Sequence, residues 1–144
     1  MAEKVHDNPT DWVAEHMRTF VESDGEKGNR FYGHDALLLT TRGRRSGKLR
    51  RTALWYFEDG DRHLLVGSNG GSPRHPAWYL NLIENPEVEV QVRSETFPAR
   101  ARPANGVERA PLWERLAAEV PQYANHQKKL GSRRELPVVI VERT

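Results

Sequence analysis

Ala36-Leu-Leu-Leu-Thr-Thr-Arg-Gly-Arg-Arg-Ser-Gly-Lys-Leu-Arg-Arg-Thr-Ala-Leu-Trp-Tyr-Phe57 is the stretch on which the fold turns. Two compact apolar runs, Ala36 to Thr41 and Thr52 to Phe57, flank a basic segment of only ten residues. A crossover helix between parallel strands needs a dozen or more residues, so this connection predicts an antiparallel pair. Gly43 and Gly47 supply the tight or positive-φ geometry that such a turn demands.

Further turn signals extend the same pattern. Asp59-Gly60 is a strong hairpin signal between Phe57 and the next strand, His63 to Val66. Ser68 to Pro73 is a Gly-rich loop. Pro76 opens a short helix carrying Trp78, Leu80, Leu82 and Ile83, which Asn85-Pro86 stops. Val88, Val90 and Val92 alternate with polar residues, the pattern of a half-buried strand. Thr96 to Arg102 pairs with it, Val107 to Val120 is helical, Pro121 breaks that helix, and Tyr123 to Leu130 adds one or two helical turns. Leu136 to Val141 is a last buried strand.

Upstream, Asn8-Pro9-Thr10-Asp11 starts a helix in which Trp12, Val13, His16, Met17, Phe20 and Val21 recur at helical spacing. The fold class that follows is α+β. About six mainly antiparallel strands form a closed or half-closed barrel with helices packed outside, and not a doubly wound parallel sheet. One domain accounts for residues 1–144, with an N-terminal helix over 1–24 and the barrel over 34–144.

The chain lacks cysteine, which removes disulfides, thiolate catalysis and thiolate metal sites. The histidines show no metal-ligand spacing, so no metal is expected. There is no nucleophile elbow, no Rossmann fingerprint and no P-loop: Gly43-x-x-x-Gly47-Lys48 is one residue short, and a strand follows where a helix is required. No apolar run reaches the roughly 20 residues of a membrane span, and no secretory signal is visible at the N-terminus. A cytoplasmic protein is expected. The N-terminal helix is a candidate roof for a ligand pocket. It could also make weak peripheral contact with the inner face of the cell membrane, although Asp11, Glu15 and Glu22 oppose strong binding to an anionic bilayer.

The charge is informative through its placement. Arg42, Arg44, Arg45, Lys48, Arg50 and Arg51 lie within ten residues without an acid. Setting them aside leaves 16 of the 22 bases against 20 acids. A local basic patch on an otherwise acidic chain points to a localised anionic ligand. A nucleic acid would call for a broader basic face. Converging backbone N–H groups, arginine forks, Lys48 and the Ser46 hydroxyl suit phosphate or carboxylate. The residues alone thus support binding of an anionic, partly flat ligand on a β scaffold.

Several blocks in register then identify a resemblance. Leu38-Leu-Thr-Thr-Arg-Gly-Arg-Arg-Ser-Gly-Lys48, Arg51-Thr-Ala-Leu54, Val66-Gly-Ser-Asn-Gly-Gly71, His75-Pro-Ala-Trp-Tyr-Leu-Asn-Leu82, Asn85-Pro86 and Glu135-Leu-Pro-Val-Val-Ile-Val141 closely resemble the deazaflavin-dependent nitroreductase family of actinobacteria. The likeness spans roughly residues 31–143. It implies a split β-barrel that binds coenzyme F420, an 8-hydroxy-5-deazaflavin with a phosphodiester and an oligoglutamate tail. By that likeness Arg44, Arg45, Ser46, Gly47, Lys48 and Arg50 hold the phosphate and nearby tail. Thr52, Ala53 and Leu54 lie beside the ring, and Gly67, Ser68 and Asn69 lie opposite. Trp78 and Asn81 match positions near the cofactor. The implied reaction passes a hydride from the reduced ring to a small-molecule acceptor, a quinone, enone or nitro compound.

Tyr123 matches a family tyrosine near the acceptor. Val120 and His126 stand where further tyrosines are expected, which leaves the acceptor preference open. Tyr123 and His126 are the catalytic candidates. The alternatives are an FMN-dependent split-barrel oxidoreductase, a deazaflavin carrier without turnover, and a nucleic-acid-binding module that the net-negative remainder disfavours.

Overall fold

A computed structural model describes residues 3–9, 11–31 and 33–144. The elements run β1 (Val5–Asp7), α1 (Asp11–Glu22), β2 (Arg30–Phe31), β3 (His34–Arg42), β4 (Leu49–Trp55), β5 (Phe57–Asp59) and β6 (Arg62–Val66). They continue with α2 (Ala77–Glu84), β7 (Glu87–Val92), β8 (Glu95–Pro103), α3 (Gly106–Glu119), α4 (Pro121–Leu130) and β9 (Val138–Arg143). The fold is α+β, with a mixed sheet ordered β1-β4-β3-β7-β8-β9-β6-β5 and β2 paired to β3.

The six expected strands are the long ones, and three short ones join them. β1 pairs parallel to β4, with Val5 opposite Leu49 and Asp7 opposite Arg51. β2 is a two-residue addition to β3 inside what the sequence presents as loop. The run from Thr52 to Phe57 is not one strand. Tyr56 interrupts it, donating its backbone N–H to the Asp35 carbonyl at 3.1 Å, and β5 then forms the Asp59-Gly60 hairpin with β6. Pro121 ends α3 and also begins α4, where its missing N–H costs nothing.

Strand alternation sorts the core into layers. One face gathers Leu37 and Leu39 of β3, Leu65 of β6, Val88 and Val90 of β7, Phe97, Ala99 and Ala101 of β8, and Val139 and Val141 of β9, with Leu82 of α2. The opposite face of β6 and β9 presents Leu64, Val66, Val138 and Ile140 to Leu112 and Leu116 of α3 and to Tyr123 and Leu130 of α4. α1 lays Val13, Met17 and Phe20 on Leu38, with Ala53 beside them. α1 thereby buries Val13, Met17 and Phe20 on the sheet, while Val21 stays 41% exposed.

Candidate functional site

The six-residue turn Gly43 to Lys48 joins β3 to β4, whose register closes at Arg42 opposite Leu49. The Gly43 N–H donates to the Lys48 carbonyl at 2.7 Å, and the Gly47 N–H donates to the Gly43 carbonyl at 2.9 Å. Gly47 sits at φ +70°, a conformation that costs an L side chain strain. Gly43 is fixed by space instead, because a Cβ there would meet Ser46 Oγ at 2.7 Å. The Ser46 hydroxyl accepts the Lys48 N–H at 3.2 Å.

Asn81 of α2, only 4% exposed, ties this turn to the core. Its Oδ1 accepts the backbone N–H and the Nη1 of Arg44, both at 3.1 Å, and its Nδ2 donates to Thr41 Oγ1 at 3.2 Å. The amide is thus satisfied at both ends, as burial requires.

The six bases of the patch differ in what neutralises them. Arg51 is bidentate to Asp7 of β1, at 2.6 and 3.0 Å. Arg42 pairs with Glu3 and donates to the Gly47 carbonyl at 2.8 Å. Arg44 faces the neutral Asn81 amide. Arg45, Lys48 and Arg50 have no carboxylate partner among the described residues. An uncompensated cationic end is what an anionic ligand would fill.

The turn opens into a cleft of about 950 Å³. Arg44, Arg45, Ser46 and Arg50 line its basic end. Thr52, Ala53, Leu54 and Trp55 of β4 form one wall, and Ser68, Asn69 and Gly70 form another. Trp78 and Asn81 of α2 and Tyr123 of α4 complete the expected set. Trp78 also packs on the interior core, so it is both a core residue and a wall.

Four expected residues do not line the cleft. Gly47 and Lys48 sit on the exposed outer side of the turn. Gly67 is enclosed by Pro137 and Pro76, where a Cβ would approach Pro137 Cγ to 2.6 Å. His126 lies one turn beyond Tyr123, with its ring behind Gly71; a Cβ on Gly71 would come within 2.9 Å of it. It is therefore a packing neighbour of the 68–72 loop, and its Nδ1 is buried without a partner among the described residues.

Tyr123 is 5% exposed. Its ring contacts Phe57 edge-on at 6.3 Å and Trp55 at 6.4 Å between centroids. Its hydroxyl makes no hydrogen bond among the described residues. Burial pushes its ionisation well above the ordinary phenol range, so the hydroxyl stays a donor at neutral pH.

The N-terminal helix was a candidate roof, but sequence reasoning missed the strand ahead of it. His6, Asp7, Asn8, Pro9 and Val13 also line the cleft. The Asn8 Nδ2 donates to Thr52 Oγ1 at 3.1 Å. Partial burial, with Lys4, Lys48 and Arg50 nearby, holds the His6 imidazole below its ordinary range. A three-residue strand paired to residues more than forty positions away leaves no periodic signal in a sequence.

Comparison with known proteins agrees with this architecture. The chain is 36% identical over 132 residues to an F420H(2)-dependent quinone reductase of Mycobacterium tuberculosis, covering 89% of this chain and 87% of that one. The solved structure of an F420-H2 dependent reductase superposes with a TM-score of 0.66 at 40% identity, over 74% of this chain and 93% of the other. A second structure, described as a domain-swapped dimer, superposes at 0.69 with 37% identity, over 94% of this chain and all of the other. Residues 12–143 match the F420H(2)-dependent quinone reductase family as a whole, and the chain belongs to that family.

Proposed function

We propose that this chain binds reduced coenzyme F420 in the cleft and passes its hydride to a quinone. The observation that carries this reading is the cleft's polarity. One end has Arg45 and Arg50 without carboxylate partners, and Lys48 beside them, while the walls toward Tyr123 are apolar. A ligand with a flat ring at one end and phosphate and carboxylates at the other matches both ends. When bound, the reduced deazaflavin supplies the hydride.

The chain's own residues position and shield. Arg44, Arg45, Ser46 and Arg50 hold the phosphate and first tail carboxylates, with Lys48 reaching farther along the tail. Asn81 keeps Arg44 aimed. Ala53, Leu54, Trp55 and Trp78 flank the ring and exclude water. The Tyr123 hydroxyl donates a hydrogen bond to the acceptor oxygen as negative charge grows there, an interaction made chiefly in the transition state. His126 acts through the 68–72 loop and not on the acceptor.

We also read residues 1–144 as one domain and the curled sheet as a split β-barrel. Residues of β3 and β6 share one interior cluster although three strands separate them in the sheet order. No described helix is long and apolar enough to cross a membrane. Val13, Met17 and Phe20 face the sheet and so are not offered to a bilayer, and we expect the enzyme to act in the cytosol.

The test is a binding titration of oxidised coenzyme F420 against FMN. Oxidation of reduced F420 is then followed with a naphthoquinone, an enone and a nitroaromatic. Tighter binding of F420 and fastest turnover with the quinone are expected. Equal affinity for FMN, or no turnover with any quinone, would overturn the reading.

A further inference from the structure

Between α4 and β9 the chain sets two arginines side by side and uses them differently. Arg133 remains at the surface, donating to the Lys129 and Leu130 carbonyls that end α4. Arg134 turns inward and is 6% exposed. Its Nη1 donates to the Gly67 carbonyl at 2.8 Å and contacts His75 Nδ1 at 3.0 Å. Its Nη2 donates to the Ser68 and Ser72 carbonyls, both at 2.8 Å, and its Nε donates to Ser72 at 3.1 Å. Because a guanidinium can only donate, His75 must present a bare Nδ1 and carry its proton on Nε2.

All of these bonds go to the segment Gly67–His75, which also supplies Ser68, Asn69 and Gly70 to the cleft. Arg134 has no carboxylate partner among the described residues. Carbonyl dipoles satisfy its hydrogens but leave its unit charge uncompensated. A neutral amide could anchor a loop at a lower desolvation cost. Beyond anchoring the loop, the charge is placed to act on negative charge in the cleft, which Ser68 lines.

We propose that Arg134 is a positioning residue that fixes the Ser68–Gly70 wall and favours the anionic form of the ring bound against it. This rests on the reading of the cleft as a deazaflavin site. The side chain touches no ligand and acts through the loop and its own field.

The readout is the ionisation of the ring hydroxyl in bound, oxidised coenzyme F420, followed by absorbance across pH. No turnover is required. In the wild type the bound ring should ionise at a pH roughly one unit below the free cofactor, the scale of one nearby opposite charge. Arg134→Gln, which keeps donors and loses charge, should remove most of that displacement. Arg134→Lys, which keeps charge and loses most of the bonds, should retain most of it. Identical behaviour of the two variants would reduce Arg134 to a loop anchor and overturn the proposal. So would a wild-type ring that ionises at or above the free value, a measurement that needs no variant. Failure of the wild type to bind the cofactor at all would instead sink the functional reading itself.

Discussion

Arg45, Lys48 and Arg50 of the basic segment have neither a carboxylate nor, as Arg44 has, an amide partner among the described residues, and they are not equivalent. Arg45 and Arg50 line the cleft, whereas Lys48 stands on the outer side of the turn. A well-formed charge-assisted contact contributes on the order of 1.5–3 kcal/mol. Replacing Arg45 or Arg50 with Ala should weaken cofactor binding roughly tenfold or more. Lys48→Ala should cost clearly less, and its effect should shrink with cofactor lacking the glutamate tail. Isothermal titration with the two cofactor forms checks the ordering, and equal losses at all three positions would refute it. Tyr123 gives the second test at this scale. Tyr123→Phe should lower turnover about tenfold to a hundredfold, as loss of one transition-state donor does, while leaving cofactor affinity unchanged. If Tyr123→Phe is fully active and only Tyr123→Leu fails, the ring shapes the pocket and the hydroxyl is idle. Part of this was legible in the sequence: the run of bases around Gly43 and Gly47 stood out, and the structure sets Arg44, Arg45, Ser46 and Arg50 on one cleft. Arg134 was not, because Ser132-Arg-Arg-Glu135 reads as a solvated charged link. Only tertiary structure separates the inward arginine from the outward one.

Among the elements, β1 shows how little sequence signal a site wall needs. Three backbone pairs with β4 and two ion pairs, Asp7 to Arg51 and Glu3 to Arg42, hold the N-terminal segment over the cleft. The Asp7–Arg51 pair is partly exposed and contributes about 0.2–1 kcal/mol. Asp7→Lys would set like charges together and part the two strands. Melting temperature should fall by only a few degrees. The KM for the quinone should rise severalfold, because Asn8 and Pro9, next to Thr52 where the ring is read to lie, no longer wall the cleft. Cofactor affinity should not weaken, since Arg51 is freed and a cation is added. Weaker cofactor binding with an unchanged quinone KM would contradict this division of labour. The alternation in β7 and the hairpin at Asp59-Gly60 were readable because side-chain periodicity and turn chemistry are local. β1, β2 and the break at Tyr56 depend on partners distant in sequence. Pro121 was read as a stop because proline both ends one helix and begins the next.

For the molecule as a whole, partly buried imidazoles set a pH limit. His16, His63 and His75 are all held below their ordinary value of 6.5, chiefly by burial, with the Arg134 charge adding to the effect at His75. His63 lies between the Tyr56 and Phe97 rings, at 5.3 and 5.8 Å, and its Nδ1 has no partner among the described residues. In the unfolded chain these groups take up protons near pH 6.5; in the folded chain they resist until lower pH. The unfolded state therefore binds more protons in that window, and stability falls as pH drops below about 6.5. Melting temperature should be flat from pH 8 to 7 and decline toward pH 5. His63→Gln should flatten part of that decline. A melting temperature independent of pH between 7 and 5.5 would show that the imidazoles titrate normally.

The cleft is assembled from segments far apart along the chain. The turn Gly43 to Lys48 and Arg50 make the basic end of the cleft, with His6 of β1 opposite Arg50, while Trp55 and Tyr123 lie at the other. Heritable variation can therefore act on the two ends separately. Changes in residues 120–126 can then retune which oxidant is accepted while the basic turn stays as it is. In a lineage that duplicates such a gene, copies would diverge in diet before they diverged in currency.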